Sequence, residues 1–270
     1  MQSTASLFKL SKRAFSLGLA ALAFFGTNAT HAQSALDGIL KTKTVKVAIP
    51  TDYPPYGFVG ADMQPQGLDI DMAKLVASKL GAKLEMVPVT SANRIPYLQT
   101  GKAHLVISTL GKNAEREKVI DYCAAYSPYF QAIFAPKDLS IKKWDDLAGK
   151  SVSVVRGGME DLELAKVIPA GVDVKRFEDN NATVAAFVAG QTQVIATGAS
   201  VAAQMMIKSP KLNAEYKLLL KDSPNFVGVA KGEDALKSKI NEIIAEARTN
   251  GTLDALSKKW LGRPAGDLPL

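Results

Sequence analysis

The stretch "GLDIDMAKLVASKLG", residues 67–81, has the apolar spacing of an amphipathic helix. Its apolar residues recur at intervals of three and four, which places them on one helix face. This face is formed by Met72, Leu75, Val76 and Leu80. Asp69 is predicted to be the N-cap, and Gly81 is predicted to end the helix.

Strand-like runs flank this helix on both sides. Val45 to Ile49 precedes it and Leu84 to Val89 follows it. A short helix, Ile95 to Gln99, and a third strand, Leu105 to Ile107, continue the alternation. Parallel strands need a crossover connection, and a helix supplies it. The pattern therefore predicts a βαβαβ unit with a parallel sheet.

A second unit of the same kind follows. Gly157-Gly158 is predicted as the turn between its first strand and first helix. The predicted elements are strand Val152–Val155, helix 160–167, strand Val172–Phe177, helix 181–188, strand 193–196, helix 199–207, strand 216–220 and a helical tail from Ala235 to near Trp260. The chain is therefore predicted to be an α/β protein with two lobes.

Two segments are predicted to cross between the lobes, namely Pro128–Ala135 and the returning strand Ser223–Ala230. Lobe 1 is then residues 33–130 plus 225–270, and lobe 2 is residues 131–224. Two crossings permit a hinge. Because ligands of open α/β sheets bind at the carboxyl ends of the strands, a cleft is expected between the lobes.

The first 32 residues have the pattern of a secretory signal peptide. Lys9, Lys12 and Arg13 are followed by an apolar run over residues 14–25 and by the small-x-small sequence 30–32. A membrane anchor is the alternative, but the run is short for a bilayer. We expect cleavage before Gln33 and a periplasmic location.

Composition excludes several functions. Without the leader, 30 basic and 26 acidic side chains remain, because the leader holds three of the 33 basic residues and no acidic one. The charge is spread out, so nucleic acid is not indicated. Cys123 is alone and is interpreted as a core residue, with a reactive thiol as the alternative. His104 is the only histidine after the leader, which argues against a histidine-based triad. No metal or cofactor is predicted, and a monomer is expected.

Several segments together resemble the family 3 extracellular solute-binding proteins of polar amino-acid ABC importers, over roughly residues 38–264. They are "YPPYGF", "GLDIDMAKLVASKLG", "RIPYLQTGKAHLVIST", "AEREKVIDY", "LAGKSVSVVRGG" and "INEIIAEARTNGTLDALSKKWLG". The resemblance implies a type II periplasmic-binding-protein clamshell, with two mainly parallel sheets and two crossover hinge strands. Such a protein closes on a small ligand and presents it to permease subunits of the inner membrane.

The resemblance also implies ligand contacts. Arg116 would grip the ligand carboxylate, for which a planar guanidinium is well suited. An ordinary surface ion pair is the alternative for this arginine. The remaining positions supply hydroxyls, aromatic rings and turn N–H groups. They are Tyr53, Tyr56, Ser108, Thr109, Gly111, Gly157, Gly158 and Met159.

Several positions depart from the family pattern. Gly158 and Met159 replace the hydroxyl pair that is usual in the turn of the second lobe. The aspartate that pairs with a ligand ammonium in many members is replaced here by Gly198, or by the nearby Thr197. Ser91 stands where an aromatic is common. Arg94 adds a possible second cation, with a solvated helix position as the alternative. The missing aspartate leaves open a carboxylate that lacks an amine, and the second cation would suit an acidic side chain or a dicarboxylate. An amino acid is predicted because the rest of the sequence follows the family.

Three acidic residues are candidates to replace the missing anion. Glu160 and Asp161 lie in a predicted first helical turn, where the helix dipole alone favours acidic residues. Asp52 lies beside Tyr53 and is otherwise expected to cap a turn. The leading hypothesis is a transport binding protein. A dehydratase of the same fold and a ligand-sensing receptor subunit are the alternatives.

Overall fold

The computed structural model describes residues 34–269, so the predicted signal peptide lies outside the described residues. Nine α-helices form in this range: α1 (Ala35–Thr42), α2 (Leu68–Lys79), α3 (Arg94–Gln99), α4 (Ala114–Glu117), α5 (Met159–Val167), α6 (Asn180–Val188), α7 (Ala199–Lys208), α8 (Asp234–Thr249) and α9 (Thr252–Leu261). None of them is long and apolar enough to traverse a bilayer.

Thirteen strands form in the same range. They are β1 (Thr44–Ile49), β2 (Asp52–Tyr53), β3 (Gly57–Val59), β4 (Pro65–Gln66), β5 (Lys83–Pro88), β6 (Leu105–Leu110), β7 (Ile120–Ser127), β8 (Phe130–Pro136), β9 (Ser151–Val155), β10 (Asp173–Phe177), β11 (Val194–Gly198), β12 (Ala214–Asp222) and β13 (Asn225–Ala230). They build two five-stranded sheets and one small sheet.

The first sheet has the order β5-β1-β6-β13-β7. Its strands β5, β1 and β6 are parallel, as the alternating pattern predicts, and Val47 pairs with both Met86 and Leu105. β13 is antiparallel to both of its neighbours. Helix α2 packs on β1 and β6 through the apolar face that includes Met72 and Val76, both of which are buried.

The second sheet has the order β10-β9-β11-β8-β12. β10, β9 and β11 are parallel, and β8 and β12 are antiparallel additions. Alternate residues of β8 face different cores, because successive strand side chains point to opposite faces. Ile133 lies in the cluster with Leu164 of α5, and Phe134 lies in the cluster with Met205 of α7. The protein is thus an α/β fold with two lobes, each built on a mixed sheet.

The chain passes between the two sheets twice, from β7 to β8 and from β12 to β13. The predicted returning strand is β13, which lies in the first sheet. Helix α8 packs on β7 and buries Leu236, Ile240 and Ile244. The exact boundaries of the lobes stay a prediction.

Sequence analysis missed some elements and misjudged one residue. Strand β7, helix α1 and the small sheet β2-β3-β4 were not predicted. The N-cap assignment of Asp69 is wrong, because the helix begins at Leu68 and Gly67 occupies the cap position with φ 131°. Asp69 points into the protein instead, where its carboxylate has a different role.

Candidate functional site

The carboxyl ends of the two parallel strand sets lie against each other. β6 ends in Ser108, Thr109 and Leu110, and β9 is followed by the turn Gly157-Gly158. β11 ends at Thr197 and Gly198. Hydrogen bonds join these edges directly, as in the contact from Arg116 to Gly157. The structure therefore brings the predicted site residues of both lobes into one polar region.

Arg116 connects the two edges. It lies in α4, whose N-cap Asn113 accepts a 2.8 Å hydrogen bond from the Arg116 N–H. The guanidinium donates from Nη1 to the Gly111 carbonyl (2.9 Å) and from Nη2 to the Gly157 carbonyl (3.0 Å). Burial and the nearby positive charge of Arg94 lower the pKa of Arg116. An exposed surface pair is thus not the environment of this arginine.

Arg94 is a second buried guanidinium at the same edge. Its Nε donates to the Ser108 hydroxyl and its Nη2 to the Thr109 hydroxyl, both at 3.2 Å. The alternative of a solvated helix position is wrong, because only 5% of the residue is exposed. Among residues 34–269 its side chain hydrogen-bonds to hydroxyls and to no carboxylate.

Thr109 is held in an unusual backbone conformation. Its φ of 43° lies in the left-handed region, which is costly for a β-branched residue. The Asp69 carboxylate accepts its N–H at 2.8 Å and also accepts the Tyr126 hydroxyl at 2.7 Å. Asp69 is fully buried, and loss of water around its carboxylate raises its pKa to about 6.

Three tyrosines and one glutamate form a buried hydrogen-bonded cluster. The hydroxyls of Tyr53 and Tyr129 are 2.5 Å apart. Tyr129 donates to Glu160 Oε1 at 2.7 Å, and Tyr53 lies 3.3 Å from the same oxygen. Tyr56 stacks on Tyr53, and its hydroxyl reaches Ser200 at 3.3 Å. Tyr53 thereby links the small sheet to the second sheet.

Glu160 is a buried ionisable group whose hydrogen-bond partners are phenols. It lies in the first turn of α5, is 4% exposed, and forms no salt bridge with any lysine or arginine in the described range. Burial, followed by the charge of Glu160, raises the pKa values of Tyr53 and Tyr129 well above that of a free phenol. Both phenols therefore stay protonated and can donate to the carboxylate.

Tyr129 of this cluster lies where a side chain at position 198 would project, which explains the glycine there. A Cβ there would overlap the ring and hydroxyl of Tyr129. The Gly198 N–H donates to Tyr53 at 3.1 Å, and Thr197 lies 3.3 Å from the same hydroxyl. The space that a larger side chain would need is thus occupied by a phenol, and the carboxylate of this region comes from Glu160.

The two other acidic candidates are engaged elsewhere. Asp161 accepts Arg176 Nε at 2.7 Å and the Gly157 N–H at 3.1 Å. Asp52 accepts the Asn180 N–H at 2.7 Å, at the start of α6. The alternative interpretation of Asp52 as the cap of a local turn is wrong, because its carboxylate accepts at the start of α6, 128 residues away in the chain.

The remaining predicted residues line the contact between the two edges. Gly158 is the N-cap of α5, and Met159 is buried against Gly111. Ser91 lies in a 3-10 turn before α3, with a buried hydroxyl that has no hydrogen-bond partner among the described residues. Cys123 is buried away from these groups and its pKa is raised to about 12, as suits a core residue.

Sequence reasoning missed Tyr129 and Asp69. Tyr129 lies in "SPYF", within a segment that is predicted to cross between the lobes. Its position in that segment already indicated that it lies beside the cleft. Asp69 was hidden because an acidic residue near a helix start is usually explained by capping. Its partners Thr109 and Tyr126 are 40 and 57 residues away in the chain, and no local pattern indicates them.

Two α/β lobes that enclose a buried polar cluster between their strand ends define a binding protein of the clamshell class. The chain belongs to the bacterial extracellular solute-binding proteins, family 3, whose sequence profile matches residues 45–263. The predicted family is thereby confirmed. Members of this family bind solutes and work with ABC transporters.

Individual relatives support the same assignment. The L-cystine-binding protein TcyJ of Escherichia coli K12 is 27% identical over 232 residues, which are 85% of this chain and 87% of that protein. An ancestral arginine-binding protein bound to arginine has a TM-score of 0.77 and 33% identity, covering 82% of this chain and 99% of its own.

A third relative is the precursor of an enzyme. The ancestral amino acid-binding protein AncCDT-1, a precursor of cyclohexadienyl dehydratase, has a TM-score of 0.77 and 32% identity. The match covers 84% of this chain and 99% of that one. It is itself described as an amino acid-binding protein, so the likeness is to a binding protein.

Proposed function

We propose that this protein captures a small α-amino acid between its lobes and delivers it to the permease of an ABC importer. One observation carries the proposal. A buried guanidinium at the edge of the first sheet and a buried carboxylate at the edge of the second, Arg116 and Glu160, have no protein counter-ion in salt-bridge contact among residues 34–269. A zwitterion supplies the opposite charge to each of them.

Arg116 is the proposed partner of the ligand carboxylate. Its two observed hydrogen bonds go to carbonyl oxygens, which leaves other N–H donors of the guanidinium fork available. Ser108 and Thr109 add hydroxyls at the end of β6, where they accept from Arg94. Charge-assisted hydrogen bonds in a site that excludes water are much stronger than the same bonds in water.

Glu160 is the proposed partner of the ligand ammonium. The hydroxyls of Tyr53 and Tyr129 hold one of its oxygens, and phenol oxygens can also accept from an ammonium. Two relatives support an amino-acid ligand, because one is an L-cystine-binding protein and the other is an arginine-binding protein. An amine-free carboxylate would leave Glu160 without a cation, which is unfavourable for a buried charge.

The same proposal includes where and how the protein works. Closure would rotate lobe 2, residues 131–224, against lobe 1 about the two crossings. We propose export by a cleaved leader over residues 1–32, a periplasmic location in a bacterium, and action as a monomer without nucleic acid. Family membership and the spread of surface charge support these points.

A thermal-shift screen tests the proposal. Residues 33–270 are unfolded, refolded to remove carried-over ligand, and heated with each amino acid and with matching carboxylates that lack the amine. Binding to the native state alone raises Tm. A shift with at least one amino acid, larger than with its amine-free analogue, is expected. Shifts only with amine-free carboxylates would overturn the proposal.

An enzymatic role is the second candidate, because a carboxylate hydrogen-bonded to a phenol lies in the cleft and could exchange a proton with a ligand. Incubation with prephenate or arogenate tests it directly. We expect unchanged substrate after prolonged incubation, and product formation above a Glu160→Gln control would favour the enzyme.

A further inference from the structure

We propose that the cleft selects amino acids whose side chains carry no net charge, and that Asp69 sets this selectivity by balancing the charge of Arg94. This inference rests on the proposed function, because it assumes an amino acid bound between Arg116 and Glu160. It goes further in naming the ligand class and a specificity-determining residue that does not touch the ligand.

The buried charges of the described residues are few and lie together. Five acidic or basic residues between positions 34 and 269 are classed as buried. All five lie at the facing strand ends or directly beneath them. They are Asp69 (0% exposed), Arg94 (5%), Arg116 (6%), Glu160 (4%) and Asp161 (8%).

One of the five is neutralised by a partner outside the group. Asp161 forms a 2.7 Å ion pair with Arg176. The other four are two cations and two anions, so their charges sum to zero. A zwitterion with an uncharged side chain preserves that balance, since its carboxylate faces Arg116 and its ammonium faces Glu160.

A charged ligand side chain would add one unneutralised charge to a buried site, where water does not solvate it. An unpaired charge in a buried site costs several kcal/mol in binding, as mutational studies of buried ion pairs indicate. The penalty applies to both signs. Acidic and basic amino acids are therefore disfavoured by the same physical cause.

Asp69 is the group that makes the balance possible. Without it, Arg94 and Arg116 would face a single carboxylate, and the cleft would favour a ligand with a second anionic group. Arg94 acts on Asp69 through space and lowers the pKa of that carboxyl, against the larger opposing effect of burial. The two groups are separated by Thr109, which hydrogen-bonds to both of them.

The groups that face Asp69 come from several elements of the fold. Tyr126 of β7 donates to Oδ1, the Thr109 N–H of β6 donates to Oδ2, Arg94 of α3 supplies the positive charge, and Tyr56 is the nearby phenol. Burial keeps both phenols protonated. Asp69 is therefore the group of this set that titrates in the neutral range, with a pKa of about 6.

The experiment compares amide and acid ligands of the same shape. Dissociation constants of glutamine and glutamate, and of asparagine and aspartate, are measured at pH 8 by competition against the tightest-binding amino acid. In the wild type each acid should bind at least about 30-fold more weakly than its amide. The acid-to-amide ratio is the dissociation constant of the acid divided by that of its amide. Lowering the pH to 5.5 should reduce this ratio, because Asp69 gains a proton and the cleft gains a positive charge.

Two variants change the balance in opposite directions. Asp69→Asn keeps the shape and removes the negative charge, so the acid-to-amide ratio should fall at least about tenfold and lose its pH dependence. Arg94→Gln removes a positive charge and should raise the ratio. Tyr126→Phe is the comparison variant, since it removes a hydrogen bond of Asp69 and keeps the carboxyl. Because that hydrogen bond lowers the pKa of Asp69, its loss should move the pH dependence of the ratio to higher pH without abolishing it.

Several outcomes would overturn the inference. They are a preference of the wild type for a charged amino acid over its neutral analogue at pH 8, or a ratio in Asp69→Asn within about twofold of the wild type. If Asp69→Asn does not fold, the wild-type pH profile and Arg94→Gln decide. A preference for charged amino acids leaves the proposed function intact, whereas failure to bind any α-amino acid overturns both.

Discussion

The two facing edges of the molecule differ in the charges that they present to each other, although the first edge also buries the Asp69 carboxylate beneath its two guanidiniums. The edge of the first sheet holds two guanidiniums, Arg94 and Arg116, with hydroxyls around them. The edge of the second sheet holds the carboxylate of Glu160, with phenols and glycines around it. Opposite ends of a zwitterion would thus meet opposite lobes, and only a closed cleft would satisfy both.

The difference also has a consequence for closure. Each edge presents a buried charge that makes no ion pair among residues 34–269, and exposure to water when the lobes separate would lower the cost of burying it. Closing over a zwitterion removes the water and strengthens both ion pairs. The comparison therefore predicts that each edge is separately necessary for ligand binding, and that each can be tested by a single substitution.

The largest expected effect is at the cationic edge. Arg116→Ala removes the proposed carboxylate partner and two hydrogen bonds, one of which crosses to Gly157. We expect affinity to fall by about 3–5 kcal/mol, because the ligand carboxylate would be buried without a partner. Calorimetric titration with the best amino acid measures this loss. An unchanged affinity would rule out Arg116 as the carboxylate partner.

The next effect is at the anionic edge. Glu160→Gln keeps the volume and removes the charge, so we expect a loss of about 3 kcal/mol for an amino acid. The amine-free analogue should bind the variant and the wild type almost equally, because it has no ammonium to lose. Titration of both ligands with both proteins gives the comparison.

Asp161 is a matched control for that substitution. It is the neighbouring acid in the same helical turn, but its carboxylate binds Arg176 and the Gly157 N–H. Asp161→Asn should lower Tm and change ligand affinity by less than about 1 kcal/mol. Equal losses of affinity in Asp161→Asn and Glu160→Gln would mean that the turn geometry, and not the Glu160 charge, matters for binding.

Sequence reasoning predicted the cationic edge better than the anionic edge. The alternation of strands and helices indicated both sheets, and the motif around Ser108 indicated Arg116, because these signals are local. On the anionic edge the sequence left three acids open, Glu160, Asp161 and Asp52. Only the structure shows that two of them are already engaged, with Arg176 and with the start of α6.

The remaining difficulty was one of distance along the chain. Asp69 contacts residues on β6 and β7, and Tyr129 contacts residues on β2 and α5. Propensity and periodicity describe neighbours within a few residues and do not report such pairs. The short strand β2 and the irregular segment before α3 also lack a periodic pattern, so their site residues could be predicted only through the family resemblance.

A smaller effect concerns stability at the cationic edge. The folded-state pKa of Asp69 is raised from 3.8 to about 6 by burial, so its contribution is fully present below pH 3.8 and is lost as pH rises through 6. Across that window the loss is on the order of 2–3 kcal/mol. Tm of Asp69→Asn should therefore fall less than that of the wild type between pH 4 and pH 7. Parallel curves in a calorimetric pH series would contradict this assignment.

The smallest effect concerns the contact at the rim of the two edges. Asp52 of β2 accepts the Asn180 N–H at the start of α6, a contact that the proposed separation of the lobes would break. Asp52→Ala should cost about 1 kcal/mol in affinity through a faster dissociation rate, with little change in Tm of the ligand-free protein. Stopped-flow dissociation measures it.

Asp179→Ala is the control, because Asp179 caps the same helix from within, accepting the Ala182 N–H at 2.7 Å. That variant should lower Tm and leave the dissociation rate unchanged. If Asp52→Ala releases the ligand no faster than the wild type, the Asp52 contact does not hold the lobes closed, and closure depends on the charges of Arg116 and Glu160.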